Sequence, residues 1–302
     1  MSLTSPVPGA RFIDPAVLAH IGNLELVAKT VVDGLINGTH RSPFFGASVD
    51  FAEHRGYVAG DDIRRVDWRV YARTDKYYIK EFEADSNANF SVLLDVSKSM
   101  GFGSKISKLD YGKTLAACLA YLANAQRDRV GLITFDEAVV ERVPASAKHL
   151  DVVLHTLDKA TPQRPGRLVE PLRRLAEHFG RRGIVVVISD FYAEPEEVFD
   201  AVGPIRYRGN DVVLFHVLDP QEIDFGFTEA SSFEDMESGD QMPIVPAKLA
   251  ADYRALITAH IEALAKKAAQ QPVDYMLLNT SQPLDFALFR FLSMRQRLSR
   301  TR

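Results

Sequence analysis

The 302 residues carry 36 basic and 40 acidic side chains, a net charge of −4, and 46% of them are apolar. That balance excludes a global field recruiting nucleic acid or anionic lipid, and the apolar share excludes a disordered chain and allows one large domain with an appendage. The lone Cys118 cannot close an internal disulfide, no charged-then-apolar leader opens MSLTSPVPGA, and the longest apolar runs, such as IVVVI at 184–188, fall well below the ~18 residues of a membrane helix. A soluble, cytoplasmic protein with no membrane contact is expected.

In chain order, DPAVLAHIGNLELVAKTVVDGLI (14–36) has helical period, with Asp14 as cap and Pro15 at the first helical position, and makes residues 1–40 an N-terminal helical segment. Residues 41–87 form a small subdomain. Within it, Ile63, Val66, Val70 and Tyr71 fall at helical spacing behind a Gly60-Asp61-Asp62 cap, and YYIKEFEA (77–84) alternates as a strand. From residue 88 to 302, short apolar runs alternate with amphipathic stretches. Strands are expected at 89–96, 129–135, 183–190, 211–219 and 273–279, and helices at 108–126, 149–160, 169–179, 194–205, 246–270 and 283–298. The alternation predicts an α/β fold with a doubly wound, mostly parallel sheet. Residues 224–245 break the rhythm with a Ser-Gly-Asp turn between weakly alternating stretches, which predicts an inserted β-hairpin.

The run SVLLDVSKSM (91–100) ends an apolar strand on Asp95, with Ser97 and Ser99 at alternate positions after it. In a doubly wound sheet, ligands gather at the carboxyl ends of the strands where the winding reverses. Asp190 closes the run GIVVVISD and reaches the same edge if its strand neighbours the first. Two carboxylates and two hydroxyls are a hard-oxygen set suited to octahedral Mg²⁺, whereas Ca²⁺ calls for more ligands. The structural alternative is that the serines cap the next helix and Asp95 binds turn amides.

DVSKSM resembles the Asp-x-Ser-x-Ser signature of von Willebrand factor A domains. The resemblance implies a metal-ion-dependent adhesion site built from Asp95, Ser97, Ser99, a Thr from a second loop and a later Asp, here Asp190. Upstream, EHRGYVAGDDIRRVDWRVYAR is similar to the hallmark of the bacterial "domain of unknown function 58" family, with Glu53, Arg55, Tyr57, Gly60, Asp61, Asp62, Arg64, Asp67, Trp68, Ala72 and Arg73 carrying the match. This resemblance implies a chain that carries such an A domain and accompanies a MoxR-type AAA+ ATPase. The chain departs from the A-domain pattern at the Thr loop, TPQRPGRLVEPL: Thr161 is the nearest hydroxyl, several residues early, and Gly166 or Arg167 falls near the Thr position. An inward Arg167 at ~5 Å from a divalent ion would cost about 7 kcal/mol at an effective dielectric near 20. Either Arg167 turns inward and replaces the metal by pairing with Asp95 or Asp190, or it faces solvent and water replaces the threonine.

Arginines 55, 64, 65, 69 and 73 interleave with Tyr57, Trp68, Tyr71, Tyr77 and Tyr78, a composition that clamps single-stranded nucleic acid. Acidic residues stand among them in nearly equal number, and the favoured reading is internal ion pairing. GFGSK (101–105) lacks phosphate-loop spacing, Cys118 reads as packing, and His54 and His216 read as structural. The function expected is a non-enzymatic adaptor, possessing or lacking Mg²⁺, that docks a MoxR-type AAA+ ATPase and a client protein, with no nucleic acid. The alternatives are a Mg²⁺-dependent phosphatase with Asp95 as nucleophile, and single-strand binding through residues 55–80.

Overall fold

A computed structural model describes residues 15, 23–38, 51–57, 66–82, 88–176, 179, 183–227, 231–236 and 238–300. The expected Gly60-Asp61-Asp62 cap, with Arg64, lies outside them.

Helix α1 (Leu24–Gly38) opens the described chain. Strand β1 (Phe51–Gly56) then pairs antiparallel with β2 (Tyr78–Phe82), a ribbon of which sequence alternation had suggested only the second strand. Between them lies α2 (Trp68–Thr74), whose cap is Asp67: the Val70 amide donates to Asp67 Oδ1 at 3.3 Å, and the Asp67 amide ties the helix start to Tyr78 O at 2.8 Å. The expected helix therefore begins near the end of its apolar repeat.

Six strands form the main sheet: β3 (Asn89–Asp95), β4 (Arg129–Phe135), β5 (Val139–Ser146), β6 (Gly183–Ser189), β7 (Asp211–Leu218) and β10 (Val273–Asn279). Their order is β10-β7-β6-β3-β4-β5, parallel throughout except for the antiparallel edge strand β5. The chain winds outward from β3 through β4, then crosses back to β6 and winds the other way, so the switch point lies between β3 and β6. One face carries α1, α3 (Lys108–Ala125), α4 (Leu150–Lys159) and α9 (Leu284–Arg300) over Phe90, Val92 and Leu94. The other carries α5 (Val169–Ala176), α6 (Pro195–Tyr207) and α8 (Pro246–Gln270) over Leu93, Val185, Val187 and Leu214. Strands covered on both faces cannot alternate in polarity, which is why they read as unbroken apolar runs. Val27, Ala28, Val31, Val32 and Leu35 of α1 join the first face's core, so the described part of the 1–40 segment packs with the 88–302 unit.

After β7 come α7 (Pro220–Asp224) and the antiparallel hairpin β8 (Ser231–Glu234) and β9 (Gln241–Ile244), before the long α8. The hairpin matches the inserted element expected at 224–245. Among the described residues, no helix is long and apolar enough to cross a membrane.

Strand β5 escaped sequence reading because VVERVPAS is exposed except at Val143 and near its end, as an edge strand can be. Its register against β4 slips between Val130 and Leu132, placing Pro144 at an irregularity that needs no amide donor. The same spot has no room: a Cβ on Gly131 would stand 2.8 Å from the Ala145 amide nitrogen and 3.0 Å from Val143 O. Backbone cannot swing aside as a side chain can. Gly131→Ala is expected to push β5 outward and cost about 1–3 kcal/mol in urea unfolding; unchanged stability would contradict this close approach.

Candidate functional site

Because β3 and β6 are adjacent and parallel, Asp95 and Asp190 emerge side by side at the carboxyl edge, on either side of the switch point. Both are buried, 5% and 4% exposed. Asp95 Oδ1 accepts from the Ser97 amide at 2.9 Å, and Oδ2 from Ser189 Oγ at 2.7 Å. Ser189 Oγ in turn accepts from the Phe191 amide at 3.1 Å, folding the chain back just after Asp190. That turn holds Phe191 at φ +45°, a left-handed conformation costing roughly 1–2 kcal/mol for a residue with a Cβ. Burial of Phe191 and a 2.8 Å contact of its carbonyl with His260 Nε2 hold it there.

The 3-10 turn at Lys98–Gly101 brings Ser97 Oγ and Ser99 Oγ to 3.1 Å. Ser97 makes no side-chain capping bond to this turn, so capping does not account for its position. Adjacent ligands of octahedral Mg²⁺, each at 2.0–2.1 Å, stand about 2.9 Å apart. The two hydroxyls are already close to that spacing, and with the Asp95 carboxylate they make a hard-oxygen set. The residues present therefore fit Mg²⁺, which Asp95, Ser97 and Ser99 would hold. Burial, then the neighbouring Asp190 charge, push the Asp95 carboxyl up to about 7, against its hydrogen bonds from Ser189 and Ser97. Among the described residues, only neutral groups donate to it.

Asp190 differs. Lys108, in the first turn of α3 and 0% exposed, donates from Nζ to Asp190 Oδ2 at 2.8 Å and to Glu222 Oε1 at 2.6 Å. Burial opposes its charge, but the Asp190 and Glu222 carboxylates outweigh that, and its pKa lies above the ordinary lysine value. Glu222 shares this one ammonium, and burial holds its carboxyl above the usual range despite the lysine. The ammonium also lies 5.0 Å from the centre of the Tyr192 ring.

The second loop crosses over the Ser97–Gly101 turn, with Arg164 O accepting from the Lys98 amide at 2.9 Å and Pro162 against Gly101. Thr161 is on its exposed side, where its hydroxyl accepts from Gln163 Nε2. Arg167 is exposed as well. The inward arginine that could replace a metal is thus corrected: the buried cation is Lys108, delivered by a helix start that points at the carboxylates, while the guanidinium stays in water at no desolvation cost.

Sequence reasoning missed Lys108, Ser189, Glu222 and Asp219. Asp219, fully buried at the end of β7, accepts at Oδ2 from the Ser104 amide and hydroxyl and from Thr280 Oγ1, and forms a capping box with Glu222. Asp219-Pro-Gln-Glu222 carries that signal in plain view; a buried lysine carries none. Of the hallmark residues, Asp67 is buried, while Tyr57, Trp68, Ala72 and Arg73 are exposed. Glu53 and Arg55 lie on β1, with side chains outside the described set, as are Gly60, Asp61, Asp62 and Arg64. The expected internal ion pairing among them falls there too.

Lys108→Met leaves two buried carboxylates without their cation and is expected to destabilise the fold by about 3–5 kcal/mol in urea unfolding. A loss under 1 kcal/mol would mean the ammonium is not the local counter-charge.

Rv1480, an uncharacterized protein of Mycobacterium tuberculosis (strain ATCC 25618 / H37Rv), is 30% identical over 293 residues, covering 94% of this chain and 91% of its own. Among solved structures, an aerotolerance-related membrane protein from Bacteroides fragilis NCTC 9343 matches with TM-score 0.48 and 18% identity, over 68% of this chain and 99% of that one. The SpRpn10 VWA domain matches with TM-score 0.37 and 10% identity, over 67% and 93%. The strand order, the antiparallel edge and the Asp-x-Ser-x-Ser turn at the switch point make the main unit von Willebrand factor A-like. The family described as "Protein of unknown function DUF58" matches residues 53–263, and the chain belongs to it.

Proposed function

We propose that the carboxyl edge of the sheet is a non-catalytic docking site that holds Mg²⁺ through Asp95, Ser97 and Ser99. Its partner, by family resemblance, is a MoxR-type AAA+ ATPase, and their joint task is remodelling or maturing a client protein in the cytoplasm, without nucleic acid or lipid. The observation that carries this reading is the inequality of two adjacent carboxylates. Asp190 has Lys108; among the described residues Asp95 has only neutral donors, although burial makes its charge costly. A divalent ion resolves that imbalance, and one held by a single carboxylate and two hydroxyls keeps enough charge to attract a partner's oxygen.

One feature counts against hydrolysis. Lys108 is fully buried and engaged by two carboxylates, out of reach of a phosphate. Against single-strand binding, Tyr71 and Tyr77 stack on each other, with centroids 4.5 Å apart at 18°, so each has given one ring face to its neighbour.

With the cognate ATPase as bait, the wild-type chain is expected to be retained in Mg²⁺, and EDTA or Asp95→Ala to weaken binding at least about tenfold, or 1.4 kcal/mol. Retention indifferent to both would overturn the metal, and no retention at all would overturn the partner. A generic phosphate ester with Mg²⁺ should show no turnover; turnover abolished by Asp95→Asn would establish the hydrolase instead.

A further inference from the structure

The segment inserted between β7 and α8 has a chemistry of its own. Residues 224–245 include six acidic side chains, Asp224, Glu229, Glu234, Asp235, Glu237 and Asp240, and no lysine or arginine. Phe225 stacks on Phe233 with centroids 6.0 Å apart and planes 10° from parallel, meets Phe227 edge-on, and lies 4.7 Å from Tyr253 of α8. This aromatic cluster pins the hairpin to the helix. The β8–β9 register sets Met242 opposite Phe233, on the same side of the ribbon. On α8, Leu249 and Leu256 stand four residues before and three after Tyr253, on the same helical face.

The cluster is therefore flanked by apolar side chains that no described residue covers: Met242 is 62% and Leu256 71% exposed, with Val245 and Leu249 exposed between them. Around them Asp224, Glu234, Asp235 and Asp240 are exposed too. The surface adjoins the candidate site. Met236 lies 3.6 Å from where a Cβ on Gly101 would stand, and Phe225 of the cluster is the C-cap of α7, whose Glu222 accepts from Lys108.

We propose that this acid-rimmed apolar lip is a docking surface for a basic amphipathic helix of a partner protein. Leu249 and Leu256 are seven residues apart, about 10.5 Å along the axis, the interval at which a partner helix repeats its own anchors. Methionine conforms to irregular apolar shapes, and the acidic rim pairs with lysine or arginine flanking a partner's stripe. The same rim repels anionic lipid. The inference shares the docking reading's edge of the molecule, not its metal, so the two can fail separately.

The test uses the full chain and a fluorescent peptide of about 18 residues, five helical turns, with leucine at i, i+3, i+4 and i+7 and lysine elsewhere. Its control replaces every lysine by glutamate. The lysine peptide is expected to bind and the glutamate peptide to bind at least about tenfold more weakly, and Met242→Asp and Leu256→Asp each to raise the Kd about tenfold with unchanged circular dichroism. Asp95→Ala should bind as the wild type does. Equal binding of the two peptides, failure of the lysine peptide to bind, unaltered affinity in both lip variants, or loss in Asp95→Ala would each overturn the proposal. The peptide comparison needs no variant, so it holds even if a substitution disturbs folding.

Discussion

Burying three carboxyl groups around one ammonium is the constraint from which the carboxyl edge takes its form. Asp95, Asp190 and Glu222 leave water for a region whose cation is Lys108, and the lysine reaches only two of them. Charge removed from water must be paired, or it drives its own neutralisation. The chain pairs Asp190 and Glu222 internally and leaves Asp95 to neutral donors, so the unsatisfied charge falls beside the two hydroxyls that could share a divalent ion.

That arrangement depends on topology more than on local motifs. Only the reversal of winding between β3 and β6 brings residues 95 and 190 together, and only the packing of α3 across those strands delivers Lys108 to them. Gly112 of α3 permits this approach: a Cβ there would stand 3.1 Å from Leu94 Cδ1 and 3.4 Å from Ile188 Cγ2. The same lysine joins the sheet to the inserted segment through Glu222, whose capping box with Asp219 fixes the start of α7. The metal-binding candidate and the apolar lip are consequently two parts of one rim, joined through α7, whose Glu222 accepts from Lys108 and whose C-cap is Phe225.

Much of this was readable beforehand, for identifiable reasons. Strands buried on both faces announce themselves as continuous apolar runs, and β3, β4, β6 and β7 did so, while β10, an edge strand of alternating burial, was read from VDYMLLN. The hairpin was visible through its Ser-Gly-Asp turn. Edge strand β5 was not, because one flank lacks a neighbour and its outward positions tolerate Glu141 and Arg142. Asp95, Ser97 and Ser99 stood out as a cluster of oxygens at a strand exit, and the local use weighed for Asp95, binding a turn amide, is also present in its bond from the Ser97 amide. Lys108 could not, since its burial is imposed by residues 82 and 114 positions away in the chain, and a lysine at a helix start ordinarily reads as solvent-facing. Arg167 drew attention for the same reason reversed: its position suggested proximity, while exposure left it outside.

The central claim, that of the two carboxylates at the switch point Asp95 is the one without a cation, is tested most directly by following its side-chain carbon by NMR as a function of pH, with and without Mg²⁺. The account expects the Asp95 carboxyl to titrate near 7 in the absence of metal, so that it holds its proton through the range where ordinary aspartates have lost theirs, and to move downward when Mg²⁺ is added. Titration in the usual carboxylate range, unchanged by Mg²⁺, would contradict it.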